Sequence, residues 1–127
     1  MAPPTVLLFC YRLPTITATE FRDYIENIHA PLVESLLGDK HPLSHTRYYT
    51  NKDSGFAVGS PTSDDADLIA VITYASEEHF HESMRARNAE GIGEVIRADE
   101  AKFMDRSKVK VIKIGHENIG KMHKEGH

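Results

Sequence analysis

The sequence predicts an α+β fold, a ferredoxin-like antiparallel sheet in the order βαββαβ, and three observations carry that prediction. Four short runs are rich in β-formers: Thr5 to Arg12, Ser44 to Tyr49, Leu68 to Tyr74 and Val109 to Ile114. Helical patterns follow the first run and precede the last. The length of 127 residues suffices for one real core and is too short for two enzymatic domains.

Each element has its own local reason. The apolar block Thr5 to Arg12 is closed by Leu13-Pro14. Thr17-Ala18-Thr19-Glu20 then matches a capping box, in which the Thr17 hydroxyl and the Glu20 carboxylate satisfy each other's backbone donors. Phe21, Tyr24, Ile25, Ile28, Leu32 and Leu36 recur at spacings of three and four and predict one apolar stripe, with Gly38-Asp39 as the stop. His29 falls at the margin of that stripe, directly before Ala30-Pro31. Pro31 has no N–H and its ring collides with the carbonyl four residues back, so a kink beside His29 is expected, with the Asn27 carbonyl left free.

Ser44 to Tyr49 alternates as a strand does, which puts His45, Arg47 and Tyr49 on one face and Thr46 and Tyr48 on the other. Asn51 to Asp65 is a long polar connection with Gly55, Gly59 and Pro61, the kind of loop that serves as a lid or binding element. After the third strand, Ser76-Glu77-Glu78-His79 opens a helix anchored by Phe80 and Met84. A second helical piece, Arg85 to Phe103, is interrupted at Gly91 and Gly93.

A sheet with both helices on one face leaves the other face bare, and a chain of this length has nothing left to cover it. A second copy is the natural cover, which makes the expected assembly a homodimeric α+β barrel. Residues 1–116 form the expected single domain, and 117–127 a polar C-terminal tail. No repeat, low-complexity tract or linker divides the chain.

Composition excludes several function classes. Lys plus Arg total 15 against 19 Asp plus Glu, with no dense basic run, so nucleic acid is not an expected partner. The longest apolar run, Val6 to Tyr11, is far short of the ~20 residues of a membrane helix. Cys10 is the single cysteine and no secretory signal pattern opens the chain, which points to a cytoplasmic protein with an inert buried thiol. His79 and His81 diverge around a helix, Asp64, Asp65 and Asp67 lack the EF-hand pattern, and Gly55 and Gly59 do not make a phosphate loop. No metal, flavin or nicotinamide is therefore expected.

The chain also resembles the EthD-domain family of dimeric α+β barrels, especially small fungal members of aromatic polyketide pathways. The residues that carry the resemblance are Leu13-Pro14, the helix entry Thr19-Glu20-Phe21, His29-Ala30-Pro31-Leu32, Arg47-Tyr48-Tyr49 and the run Ala98 to Ser107. His116 to His127 extends past the family core. The resemblance implies a cofactor-free enzyme: relatives include decarboxylases of anthraquinone-type acids, and similar barrels host oxygenases, cyclases and dehydratases.

The expected site follows from both lines. His29 is the candidate proton donor, set against a reading as a helix histidine bonded to a loop carbonyl. His45 and Arg47 would orient a substrate acid and Tyr49 would bond a phenol or ketone, although for Arg47 a structural ion pair is an equal alternative. Phe9, Tyr11, Tyr24, Ile25, Ile28 and Phe80 make up the expected apolar wall, with Tyr11 and Tyr24 open to a purely core role. Asp99, Glu100 and Asp105 are possible carboxylate partners of a histidine or plain surface groups. The expected reaction is decarboxylation of an aromatic or β-keto polyketide acid. Its rivals are a cofactor-free oxygenase of anthrone-like substrates or another polyketide cyclase or dehydratase, and a protein that only binds a polyketide.

Overall fold

A computed structural model of the chain describes residues 3–120. Its strands are β1 (Thr5–Cys10), β2 (Ser44–Tyr49), β3 (Leu68–Thr73) and β4 (Lys110–Lys113). They form one sheet in the order β2-β3-β1-β4, antiparallel at every pairing. The helices are α1 (Ala18–Tyr24), α2 (Ala30–Leu37), α3 (Glu77–Arg87) and α4 (Gly93–Glu100), with a π-helical turn at Ile25–His29 between α1 and α2. This is the βαββαβ arrangement of an α+β fold.

The register sorts the side chains. Val6, Leu8 and Cys10 lie opposite Ile72, Ala70 and Leu68, and these in turn lie opposite His45, Arg47 and Tyr49. Alternation puts all nine on the helix-covered face, where Val6, Cys10, Leu68, Ala70 and Ile72 are buried. The opposite face carries Leu7, Phe9, Ile69, Val71, Tyr48 and Ile112, and Tyr48 and Ile112 are 57% and 51% exposed. Phe9 therefore points away from the helices. A run apolar at every position has no period-2 signal, so the facing of Phe9 could not be read from β1 alone.

The first helix begins as its sequence dictates. The Thr17 amide donates to Glu20 Oε1 at 2.8 Å and the Glu20 amide donates to Thr17 Oγ1 at 3.0 Å. Its course past Tyr24 differs from the expected stripe. The Ala30 amide donates to the carbonyl of Ile25, five residues back, so the ladder slips just before Pro31, which occupies the first turn of α2. The buried positions become Phe21, Ile25, His29, Val33 and Leu37. A strict four-residue spacing drifts by ~40° per step around a regular helix, and the extra residue of the π turn offsets part of that drift. Ile28 is turned out, 49% exposed, and His29 moves from the margin to the middle of the buried stripe. Gly38, with φ of 54°, ends α2.

Ser76 caps α3 by accepting from the His79 amide at 3.0 Å, and Phe80 and Met84 pack against Val6, Ala70, Ile72 and Tyr74. The break expected at Gly91 is present, at φ 85°, and α4 starts at Gly93. The connection from Thr50 to Asp67 contains no strand or helix. It is tied at its base, where buried Asp67 accepts from the Arg12 amide at 2.8 Å and pairs with Lys52 at 3.1 Å. Asp67 is thus more than a polar lead-in to β3. No helix among the described residues is long and apolar enough to cross a membrane. Glu117 to Gly120 are exposed and outside any element, and the rest of the expected tail lies outside the described residues.

Candidate active site

Between the helix-covered sheet face and the helices lies a cavity of about 320 Å³, which falls in the size range of small-ligand sites. Its floor is apolar, with Val6, Leu8, Leu68 and Ile72 from the sheet; Ile25, Val33 and Leu37 come from the first helical stretch, and Phe103 and Met104 from beyond α4. Polar groups enter from separate elements: His29 from the π turn, His45 and Arg47 from β2, Tyr74 after β3, Arg87 and Glu100 at the ends of α3 and α4, and Arg106 beyond them.

His29 is buried and its Nδ1 lies 2.8 Å from Asp99 Oδ2. Its ring meets Phe103 edge-on, with centroids 4.8 Å apart. Burial pushes the Asp99 carboxyl up, but hydrogen bonds donated by Tyr24 and His29 outweigh it and leave the acid below its usual range. An ionised carboxylate only accepts, so Nδ1 of His29 carries the proton on that side. Nε2 has no protein partner among the described residues and is the atom left to exchange a proton with a ligand. Tyr24 stands behind this pair: its hydroxyl donates to Asp99, and burial followed by that bond pushes the phenol up to about 12.

On β2, the Arg47 guanidinium donates from Nε and Nη2 to the two oxygens of Glu26, at 2.5 and 2.9 Å. The Tyr49 hydroxyl donates to the same carboxylate at 2.5 Å. The Arg47 bond is the main cause holding Glu26 below the usual carboxylate range, against some burial. Burial, then the Glu26 bond, pushes the Tyr49 phenol upward. Arg47 also approaches His45 Nδ1 with Nη1 at 3.2 Å. Arginine only donates, which makes Nδ1 the acceptor and places the His45 proton on Nε2. Burial, and after it the charges of Arg47 and His41, holds His45 down to about 4, so it is an uncharged N–H donor at neutral pH.

The expected site is thus partly assembled. His29, His45, Arg47 and Ile25 line the cavity. Tyr49 is on the same sheet face but its hydroxyl is spent on Glu26. Phe9 is on the far side of the sheet, Ile28 is turned outward, and Phe80 is outside the lining and meets Tyr74 edge-on, with ring centroids 5.1 Å apart. Tyr11 donates to the Asp64 carbonyl at 3.2 Å beneath the long loop, and Tyr24 supports Asp99. Both tyrosines therefore fill the core role. Sequence reasoning offered Asp99 only as one of three possible partners and did not find Arg87, Arg106 or Tyr74. Cys10 is buried, and its thiol is pushed up to about 12 by burial and then by the Glu100 charge, which fits an inert thiol.

The EthD domain family matches residues 13–107, three quarters of the chain and all of the site except the first and last strands. This chain is a member of the EthD domain family. Solved structures share the fold. An EthD family protein from Bacillus halodurans superposes with a TM-score of 0.59 at 18% identity, covering 90% of this chain and 99% of its own. HapK from Hahella chejuensis gives 0.56 at 12% identity, covering 97% and 99%. A mutant of SnoaB, a cofactor-independent oxygenase from Streptomyces nogalater, gives 0.52 at 11% identity, covering 93% and 97%. No protein of curated function matches the chain. The EthD-domain protein carries the polar set described above on an α+β frame that these structures share.

Proposed function

We propose that this EthD-domain protein is a cofactor-independent lyase that decarboxylates an aromatic or β-keto polyketide carboxylic acid, with His29 as the proton donor. The observation that carries the reading is the buried His29–Asp99 pair, 2.8 Å apart, with His29 in the lining of a largely apolar cavity. The carbon–carboxylate bond breaks, CO₂ leaves, and the electron pair remains on carbon, delocalised into a neighbouring carbonyl. The imidazolium Nε2–H then protonates that carbon, and solvent returns the proton to His29. Asp99 fixes the ring through its bond to Nδ1. The uncharged Nε2–H of His45, a residue of the cavity lining, would bond a substrate oxygen. Arg47 contributes little to holding an acid, since Glu26 already occupies its fork.

A second reading is supported by the fold shared with the cofactor-independent oxygenase SnoaB. In it, neutral His29 removes a proton from an anthrone-like carbon and the resulting carbanion reacts with O₂. Incubating purified protein with polyketide acids under air and under argon separates the two. CO₂ release and protonated product under argon support the lyase, O₂ consumption per turnover supports the oxygenase, and binding without turnover leaves a polyketide-binding protein.

The reading includes a homodimer. The exposed sheet face is apolar through its centre, with Leu7 opposite Val71 and Phe9 opposite Ile69, flanked by Tyr48 and Ile112. An apolar centre two strands wide suits an identical face, related by a twofold axis.

A further inference from the structure

Arg87, Glu100 and Arg106 form a cluster of charges in the cavity wall that the proposed reaction does not use. Glu100 is buried at the end of α4. Its Oε2 accepts from Arg87 Nη2 at 2.7 Å and its Oε1 from Arg106 Nε at 3.2 Å. Two guanidinium groups share one carboxylate, so the triad carries one excess positive charge. Each arginine spends a single N–H on Glu100 and, among the described residues, has no other side-chain bond. Elsewhere in the lining, Arg47 is matched by Glu26 at both ends of its fork, His29 pairs with Asp99, and His45 is neutral.

We infer that Arg87 and Arg106, held in register by Glu100, form an anion subsite for a second acidic oxygen of the substrate, a phenolate or enolate conjugated with the carbon that loses CO₂. This rests on the cavity being a substrate site, as proposed above. The subsite suits that oxygen better than the departing carboxylate. A carboxylate clamped by two arginines is stabilised in the ground state and must give up that stabilisation to leave as CO₂. An oxygen that gains charge as the bond breaks is stabilised most in the transition state. The substrate class narrows accordingly to hydroxyaryl or enolisable β-keto acids. Glu100 is a positioning residue: it aligns the two guanidinium groups and limits their mutual repulsion.

The test reads the ligand rather than turnover. A hydroxyanthraquinone whose phenol changes colour on ionisation is titrated into the full chain, beside its O-methyl ether. With wild-type protein, the bound phenol should ionise at a pH at least about one unit lower than in buffer, and the phenol should bind on the order of tenfold more tightly than the ether. Arg87→Gln and Arg106→Gln should each reduce both effects. Glu100→Gln has the opposite expected sign: the glutamine keeps the side chain's length and an oxygen that still accepts from a guanidinium, but it removes the internal anion, so phenolate binding tightens and the ionisation shift grows. That opposition keeps the test decisive if an arginine variant fails to fold. Phenol and ether binding equally, with no colour shift in wild type or in Glu100→Gln, overturns the subsite while leaving the His29 reading standing. Absence of binding by either probe overturns both.

Discussion

Replacing Asp99 with asparagine tests the catalytic pair with almost no change of shape. Asparagine keeps an oxygen for the Tyr24 hydroxyl, but it can turn its NH₂ toward His29 Nδ1, now 2.8 Å from a carboxylate oxygen. The imidazole would then carry its neutral-form proton on Nε2, and its protonated form would lose the adjacent anion. Losing one charge-assisted bond at a buried site costs about 1–3 kcal/mol of stability. The acid–base function is worth ~10²–10⁴ in rate, or about 3–5 kcal/mol of activation free energy. Activity should therefore fall far more than stability. The usual aspartate value is 3.8 and the folded carboxyl lies below it, so its share of stability is present above that pH and lost as pH falls through the folded value. Asp99→Asn should remove that acid limb. The assay is single-turnover CO₂ release, with urea unfolding in parallel and His29→Gln and the double variant alongside. Residues acting as a unit give a double variant hardly worse than His29→Gln alone. If Asp99→Asn turns over within about twofold of wild type while His29→Gln is inactive, Asp99 only packs against the ring and the pair is not the catalytic unit.

Other outcomes are expected. Between pH 6.5 and about 4 the unfolded chain binds a proton at His45 that the folded chain refuses; stability should fall across that window by on the order of 3 kcal/mol, and denaturation of His45→Gln should show a flatter profile. Sedimentation at micromolar concentration should give a dimer, and Phe9→Lys, which puts a charge in the centre of the exposed sheet face, should give a folded monomer; a wild-type monomer removes the barrel. Glu26→Gln should release Arg47 and the Tyr49 hydroxyl together, costing ~0.5–1 kcal/mol in chemical denaturation because the cluster is exposed; an unchanged midpoint would show that solvent already loosens this pair.

Local chemistry was legible in the sequence. Alternation along Ser44 to Tyr49 determined that His45, Arg47 and Tyr49 share a face, because the strand period is two and polar residues mark it. The Thr17–Glu20 box, the Ser76 cap and the stop at Gly38 depend on neighbours a few residues away, and each occurs where it was expected. Pro31 beside His29 announced a disturbed helix, since a missing N–H is a local fact. The βαββαβ order followed from these elements in sequence.

What only the tertiary structure decided is which charges meet. Asp99 is 70 positions from His29, and Glu26 is 21 from Arg47. Such pairs are chosen by how helices settle on the sheet, and nothing in either local pattern encodes it. The π turn shows the same limit at shorter range. Sequence placed His29 at the edge of an apolar stripe, but a ladder slipped by one residue rotated Ile28 out and His29 in. The sequence by itself determined the four strands, their order and the starts of the first and third helices. Packing determined the carboxylate that His29 meets, the pairing of Arg47 and the convergence of Arg87 and Arg106 on Glu100, because a buried charge takes the partner the fold brings within reach.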